Sequence, residues 1–85
     1  MGVYYIKLDE AYCDSVYNGD KNFEVRYNDR GYQKGDTIRF IPVKKSVEFD
    51  HPIKERIYRI TYVHSGLGVE NMFVVFGIKW IDTDR

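Results

Sequence analysis

The sequence predicts a mainly β fold of the α+β kind, a small closed or nearly closed barrel of about five strands with one short N-terminal helix. Three observations carry that expectation. Five separate stretches are rich in strand-forming residues, and most of them alternate apolar and polar positions as a half-buried strand requires. A single early stretch shows helical spacing instead. The connections are mostly short and carry Gly, Asn and Asp, and closing the strands on themselves removes the exposed edges of an open sheet. The 85 residues make one domain, 1–85, whose 44 % hydrophobic and 31 % charged content is that of a globular chain.

Residues 3–8 are an apolar run with Lys7 inside it and read as the first strand. Asp9 follows as an N-cap. Over 10–17 the residues Tyr12, Cys13, Val16 and Tyr17 fall on one face of a two-turn helix, which Asn18-Gly19 stops. Cys13 on that face reads as a core residue, because no histidine lies near it in sequence to activate a thiol. In the second strand, 23–27, Phe23, Val25 and Tyr27 alternate with Glu24 and Arg26. The apolar set is expected to face the core, which leaves Glu24 and Arg26 outward.

Asn28-Asp29-Arg30-Gly31 and Gln33-Lys34-Gly35-Asp36 have turn chemistry and lead to a third strand over 37–43, where Pro42 suggests an edge or a strand end. Residues 44–53 show no sustained period and are expected to form a flexible loop in which His51 has no partner. A long strand over 54–63 places Tyr58, Ile60 and Tyr62 on one face, while Ile57 opposite them hints at a bulge or at burial of both sides. After a turn at 64–68, residues 72–81 put Met72, Val74, Phe76, Ile78 and Trp80 on one face. That strand is expected to be central and the most buried. Residues 82–85 are a polar tail.

The formal net charge is zero, which argues against a protein that coats nucleic acid by charge alone. The distribution along the chain is uneven. Residues 21–45 hold seven cations against three anions, residues 1–20 one against four, and residues 46–85 five against six. One cysteine forbids an internal disulfide, the N-terminus lacks a signal-peptide layout, and no apolar run approaches the ~20 residues that span a bilayer. A cytoplasmic protein without membrane contact is expected. Two isolated histidines and the absence of paired cysteines give no metal site, and no cofactor is implied. No serine or cysteine sits beside a general base, and Gly66-x-Gly68 lacks the lysine and helix of a phosphate loop.

Ionisable residues of both signs concentrate in Gly19-Asp20-Lys21-Asn22-Phe23-Glu24-Val25-Arg26, where one carboxylate lies within reach of two cations. As an exposed cluster it would be only a solvated face, each pair contributing about 0–1 kcal/mol. The spacing resembles the G-x-K-x-x-E-x-R signature of ASCH domains, members of the PUA-like superfamily of small RNA-associated β-barrels. Tyr5-Ile6-Lys7-Leu8, the segment ending at Asn18-Gly19, Arg26-x-Asn28-Asp29-Arg30-x-Tyr32-x-x-Gly35-Asp36 and Thr61-Tyr62-Val63 are similar, in order and spacing, to a compact bacterial and phage ASCH-like family of unassigned function. The resemblance covers nearly the whole chain apart from 44–56, and it implies a PUA-like pseudobarrel.

Chemically, Arg26 can grip a phosphate or a base edge, Lys21 offers a compact cation, and Glu24 can accept from an exocyclic amine. The expected partner is therefore RNA or a nucleotide or nucleoside, held in a cleft formed by Lys7, Lys21, Glu24, Arg26, Asn28 and Arg30. Tyr27, Tyr32 and Tyr62 are available for stacking, against a background in which most tyrosines simply pack. A second reading comes from the resemblance to small bacterial acetylcytidine amidohydrolases. In that branch a lysine matching Lys21 and a threonine, replaced here by Glu24, act with a later glutamate that has no assigned counterpart in this chain. Lys21 and Glu24 would then be the catalytic residues of a hydrolase acting on a modified nucleoside. A third reading is a protein-interaction module, for which Val47, Phe49 and Ile53 are the suggestive residues.

Overall fold

The computed structural model describes residues 2–81, so the tail at 82–85 lies outside the described residues. Strand β1 (Val3–Asp9) leads into helix α1 (Glu10–Tyr17), then β2 (Phe23–Tyr27), β3 (Thr37–Lys44), β4 (Val47–Glu48), a 3-10 turn (Pro52–Glu55), β5 (Ile57–His64) and β6 (Phe73–Ile81). The strands form one curled sheet in the order β1-β3-β5-β6-β2, with the two-residue β4 attached to β3. β1 runs parallel to β3, and every other pairing is antiparallel. The fold is thus mainly β with one short helix, a small pseudobarrel.

The helix begins and ends where its sequence signals place it. Asp9 accepts a hydrogen bond from the Ala11 amide at 3.0 Å, and Gly19 takes the left-handed φ of +88° that releases the chain. Cys13 and Val16 on its inner face close one side of a core built from Ile6, Leu8, Ile38, Phe40, Tyr58, Ile60, Val74, Phe76 and Ile78. Burial, helped by the nearby acids Asp14, Asp9 and Glu10, pushes the Cys13 thiol up to about 11, which leaves it protonated and inert at neutral pH.

Four expectations need correction. The largest concerns β2, whose faces are reversed. Phe23, Val25 and Tyr27 are 43 %, 53 % and 50 % exposed, whereas Glu24 is buried. The cause is the register against β6, which is pinned at both ends. Ile78 donates its amide to the Asn22 carbonyl at 3.0 Å, and Asn28 donates to the Met72 carbonyl at 2.8 Å. Between those bonds Glu24 lies opposite Phe76 and Arg26 opposite Val74, both core residues, so the charged pair must share their face.

Residues 44–53 are not a structureless loop. Lys45 and Ser46, both at left-handed φ, make the tight turn of a β3–β4 hairpin. His51 does have partners, since its Nδ1 accepts from the Ile53 amide at 3.1 Å and its Nε2 lies 2.8 Å from Asp14 Oδ1. Those bonds seat Ile53 in the core, and Phe49 packs against it, so of the three suggested surface apolar residues only Val47 is exposed.

In β5 the strand starts at Ile57, three residues later than expected, because Pro52–Glu55 coil into the 3-10 turn. A bulge between Ile60 and Tyr62 then switches faces, so Tyr62 leaves the row of Tyr58 and Ile60 and points outward. In β6 the inward row is Val74, Phe76 and Ile78 alone. Met72 and Trp80 overrun the core at its two ends and are exposed, and the middle of the strand order belongs to β5.

No helix of the described residues is long and apolar enough to cross a membrane. The reversal of β2 gives a direct prediction. Phe40→Ala removes a buried ring and should cost about 3–5 kcal/mol of stability, while Phe23→Ala should cost about 1 kcal/mol because that ring is already wet. Urea unfolding of both variants checks this, and equal losses would put Phe23 back in the core.

Candidate functional site

The site begins at the exit of α1. The Lys21 amide donates to the Ser15 carbonyl at 2.9 Å, which sets the lysine at the mouth of β2, and the reversed register turns Glu24 and Arg26 inward. Glu24 is 2 % exposed. Its Oε2 accepts from Lys21 Nζ at 2.9 Å, and its Oε1 accepts from Arg26 Nε at 3.0 Å and Nη2 at 2.8 Å. Both oxygens are thereby engaged in short charge-assisted bonds, the pairing that a buried carboxylate requires.

The two cations reach further. Lys21 Nζ also donates to the Phe23 carbonyl at 2.9 Å and lies 5.2 Å and 4.8 Å from the ring centres of Tyr12 and Phe23. Arg26 Nη2 donates to the Lys7 carbonyl of β1 at 2.8 Å, and Arg30 Nη1 donates to the Tyr5 carbonyl at 3.2 Å. β1 and β2 are the two ends of the sheet, so these guanidinium groups span the seam where no backbone ladder runs. Lys21 and Arg26 side chains remain 21 % and 25 % exposed.

The seam opens into a cleft of about 510 Å³ whose lining includes Lys7, Tyr12, Lys21, Glu24, Arg26 and Ser46. Of the residues read from the sequence, Lys7, Lys21, Glu24 and Arg26 converge there. Asn28 and Arg30 do not line it. Asn28 Oδ1 accepts from the Tyr32 amide at 3.2 Å and shapes the turn, while Arg30 serves the seam and lies 5.8 Å from the Tyr4 ring centre. Tyr32 is buried, with its phenol pushed up chiefly by burial, and it packs against Phe76 rather than offering a stacking surface. The sequence sets Tyr12 on the helix face of Cys13 and Val16, but it is half exposed and lies beside Lys21 on the cleft, where Asp9 and Ser46 also stand without any sequence signal for that role. Among the described residues no group of His, Cys, Asp and Glu is arranged to hold a metal ion.

Residues 3–78 match the model of a family described as a domain of unknown function, DUF3850. The chain belongs to that family. A solved structure titled "Crystal structure of hypothetical protein PH0355" shares the fold, with a TM-score of 0.61 and 15 % identity over 93 % of this chain and 99 % of that one. No curated protein sequence matches the chain. In this DUF3850 chain the seam cluster spans from Lys7 to Arg26, wholly within the matched residues.

Removing the carboxylate tests what the cluster does for the fold. Breaking a buried ion pair typically costs about 3–5 kcal/mol, and the loss should be nearer 2–3 kcal/mol here because both cations keep contact with water. Glu24→Ala is expected to lower the urea midpoint accordingly. A change below about 0.5 kcal/mol would mean that the carboxylate is not buried in solution.

Proposed function

We propose that the seam cleft binds a nucleotide, free or within RNA, in the manner of an ASCH-like domain of the PUA-like superfamily. The observation that carries this reading is the set of donors left over after the protein's own bonds are made. An ammonium has three donors and a guanidinium five. Lys21 uses two, on Phe23 and Glu24, and Arg26 uses three, on Glu24 and Lys7, so one ammonium and two guanidinium N–H groups have no partner among the described residues. Three spare donors with Lys7 beside them suit the oxygens of a phosphate. Tyr12, on the same wall, is placed to lie against a sugar or base.

Glu24 has a different part in this reading from the one its exposure in a strand would give it. Buried and bonded to both cations, it is closed off from a base or a water, and it acts as a positioning residue that aims Lys21 and Arg26. The same occupancy weighs against the amidohydrolase reading, in which this position would supply the nucleophile or base. A cytoplasmic setting fits the proposal, since a lone reduced thiol such as Cys13 is stable there.

Titration of the protein with nucleotides and with a pool of structured and single-stranded RNAs at low salt tests the proposal. Affinity should fall as salt rises, with a slope of about 0.7 for each single-strand phosphate engaged. Lys7→Ala, an exposed change, should shorten that slope by about 0.7 without altering the melting temperature. Acetylcytidine should be left intact. Absence of binding to every probe would overturn the proposal, and acetylcytidine turnover lost in Lys21→Ala would replace it with hydrolysis.

A further inference from the structure

The outer face of the same sheet carries a second arrangement, which meets the cleft only at Val25, on its lining, and at Phe23 beside Lys21. Tyr58, Ile60, Val74, Phe76 and Ile78 point inward, so the alternate positions of β5, β6 and β2 point out. Cross-strand pairing orders them into rows. Arg59 lies beside Lys79, Tyr62 beside Gly77 and then Phe23, Val75 beside Val25, and Phe73 beside Tyr27. The rings of Phe23 and Tyr27 are about half exposed, and Tyr62 is 66 % exposed. At the centre, a Cβ on Gly77 would meet Thr61 Oγ1 at 2.6 Å, so glycine keeps the row low between Tyr62 and Phe23.

The charge on this face is of one sign. None of the outward positions on these three strands carries a carboxylate, and neither Arg59 nor Lys79 forms an ion pair among the described residues. Like charges directly opposite on neighbouring strands oppose folding, and exposed aromatic rings forgo their burial. Both costs fall on one surface, where a ligand with anions beside flat apolar groups would relieve both. A second copy of the chain does not meet that description. A two-fold interface sets the patch against itself, and the patch has no carboxylate to offer the Arg59–Lys79 row.

We propose that this face binds single-stranded nucleic acid, with bases stacked on Tyr62, Phe23 and Tyr27 and phosphates held by Arg59 and Lys79. Stacking of this kind tolerates any base, because each has a π-face, and the flanking cations track the backbone. The inference does not rest on the nucleotide cleft, whose lining includes none of Tyr62, Tyr27, Arg59 and Lys79. Phe23 stands on the rim between the two, with its ring centre 4.8 Å from Lys21 Nζ.

The test is a salt-dependent titration of a fluorescein-labelled oligouridine with the wild-type chain, the double variant Arg59→Ala/Lys79→Ala, Tyr62→Ala, and the cleft variant Lys7→Ala. All four changed positions are exposed, and removing the like-charge pair should leave the melting temperature the same or higher. The double variant should reduce the salt slope by about 1.4, from two single-strand phosphates, and Tyr62→Ala should weaken binding about 5- to 150-fold, the range for losing one stacked base. Binding that is lost only in Lys7→Ala would overturn this inference while leaving the cleft reading intact. The reverse pattern would support the face and remove the cleft. No binding by the wild-type chain, binding to phosphatidylserine vesicles in place of the oligonucleotide, or self-association that buries Tyr62 would each overturn it.

Discussion

The Glu24 carboxylate is the constraint on which the rest of the structure depends. A buried charge is tolerated only when its oxygens are fully bonded, and here Lys21 and Arg26 complete them from either side. Arg26 then has a fixed orientation from which its remaining donors reach the Lys7 carbonyl, tying β2 to β1. Without that bridge, closure between the two ends of the sheet would rest on the contacts around Arg30, which donates to the Tyr5 carbonyl and whose own carbonyl accepts from the Tyr4 hydroxyl. One side-chain network therefore links the local sequence motif, the closure of the fold and the shape of the cleft.

That network also explains which features could be read from the sequence. The elements with self-contained signals were legible. Asp9 and Asn18-Gly19 bound a helix whose inner face is Cys13 and Val16, and the alternation in 72–81 marks β6. The orientation of β2 was not legible, because its alternation is real but its sign depends on tertiary bonds from Ile78 and Asn28 that lie outside the strand. An apolar set of Phe23, Val25 and Tyr27 ordinarily wins the inner face, at about 1.5–3 kcal/mol for each fully buried side chain. It loses here to a carboxylate whose charge is neutralised by its neighbours.

Similar reasons account for the other departures. The Lys45-Ser46 turn lacks the Asn-Gly signature that would announce a hairpin, and His51 finds Asp14 across a long stretch of chain. The bulge after Ile60 moves Tyr62 to the outer face. The candidate site was partly visible: the motif grouped Lys21, Glu24 and Arg26, and Lys7 of the first strand joins them in the cleft, while Asn28 and Arg30 shape the turn and the seam. The reversal has a functional consequence as well. It brings the motif cations to a concave wall and, by the same rotation, lays Phe23 and Tyr27 on the outer surface.

The central claim is that Glu24 and Arg26 act as one buried unit, and a double-mutant cycle measures that unit without reference to any ligand. Urea unfolding of Glu24→Gln, Arg26→Gln and the double variant gives their coupling energy. The account predicts coupling above about 1.5 kcal/mol, beyond the range of exposed ion pairs. Additivity within about 0.5 kcal/mol would show two independent surface charges and contradict the account.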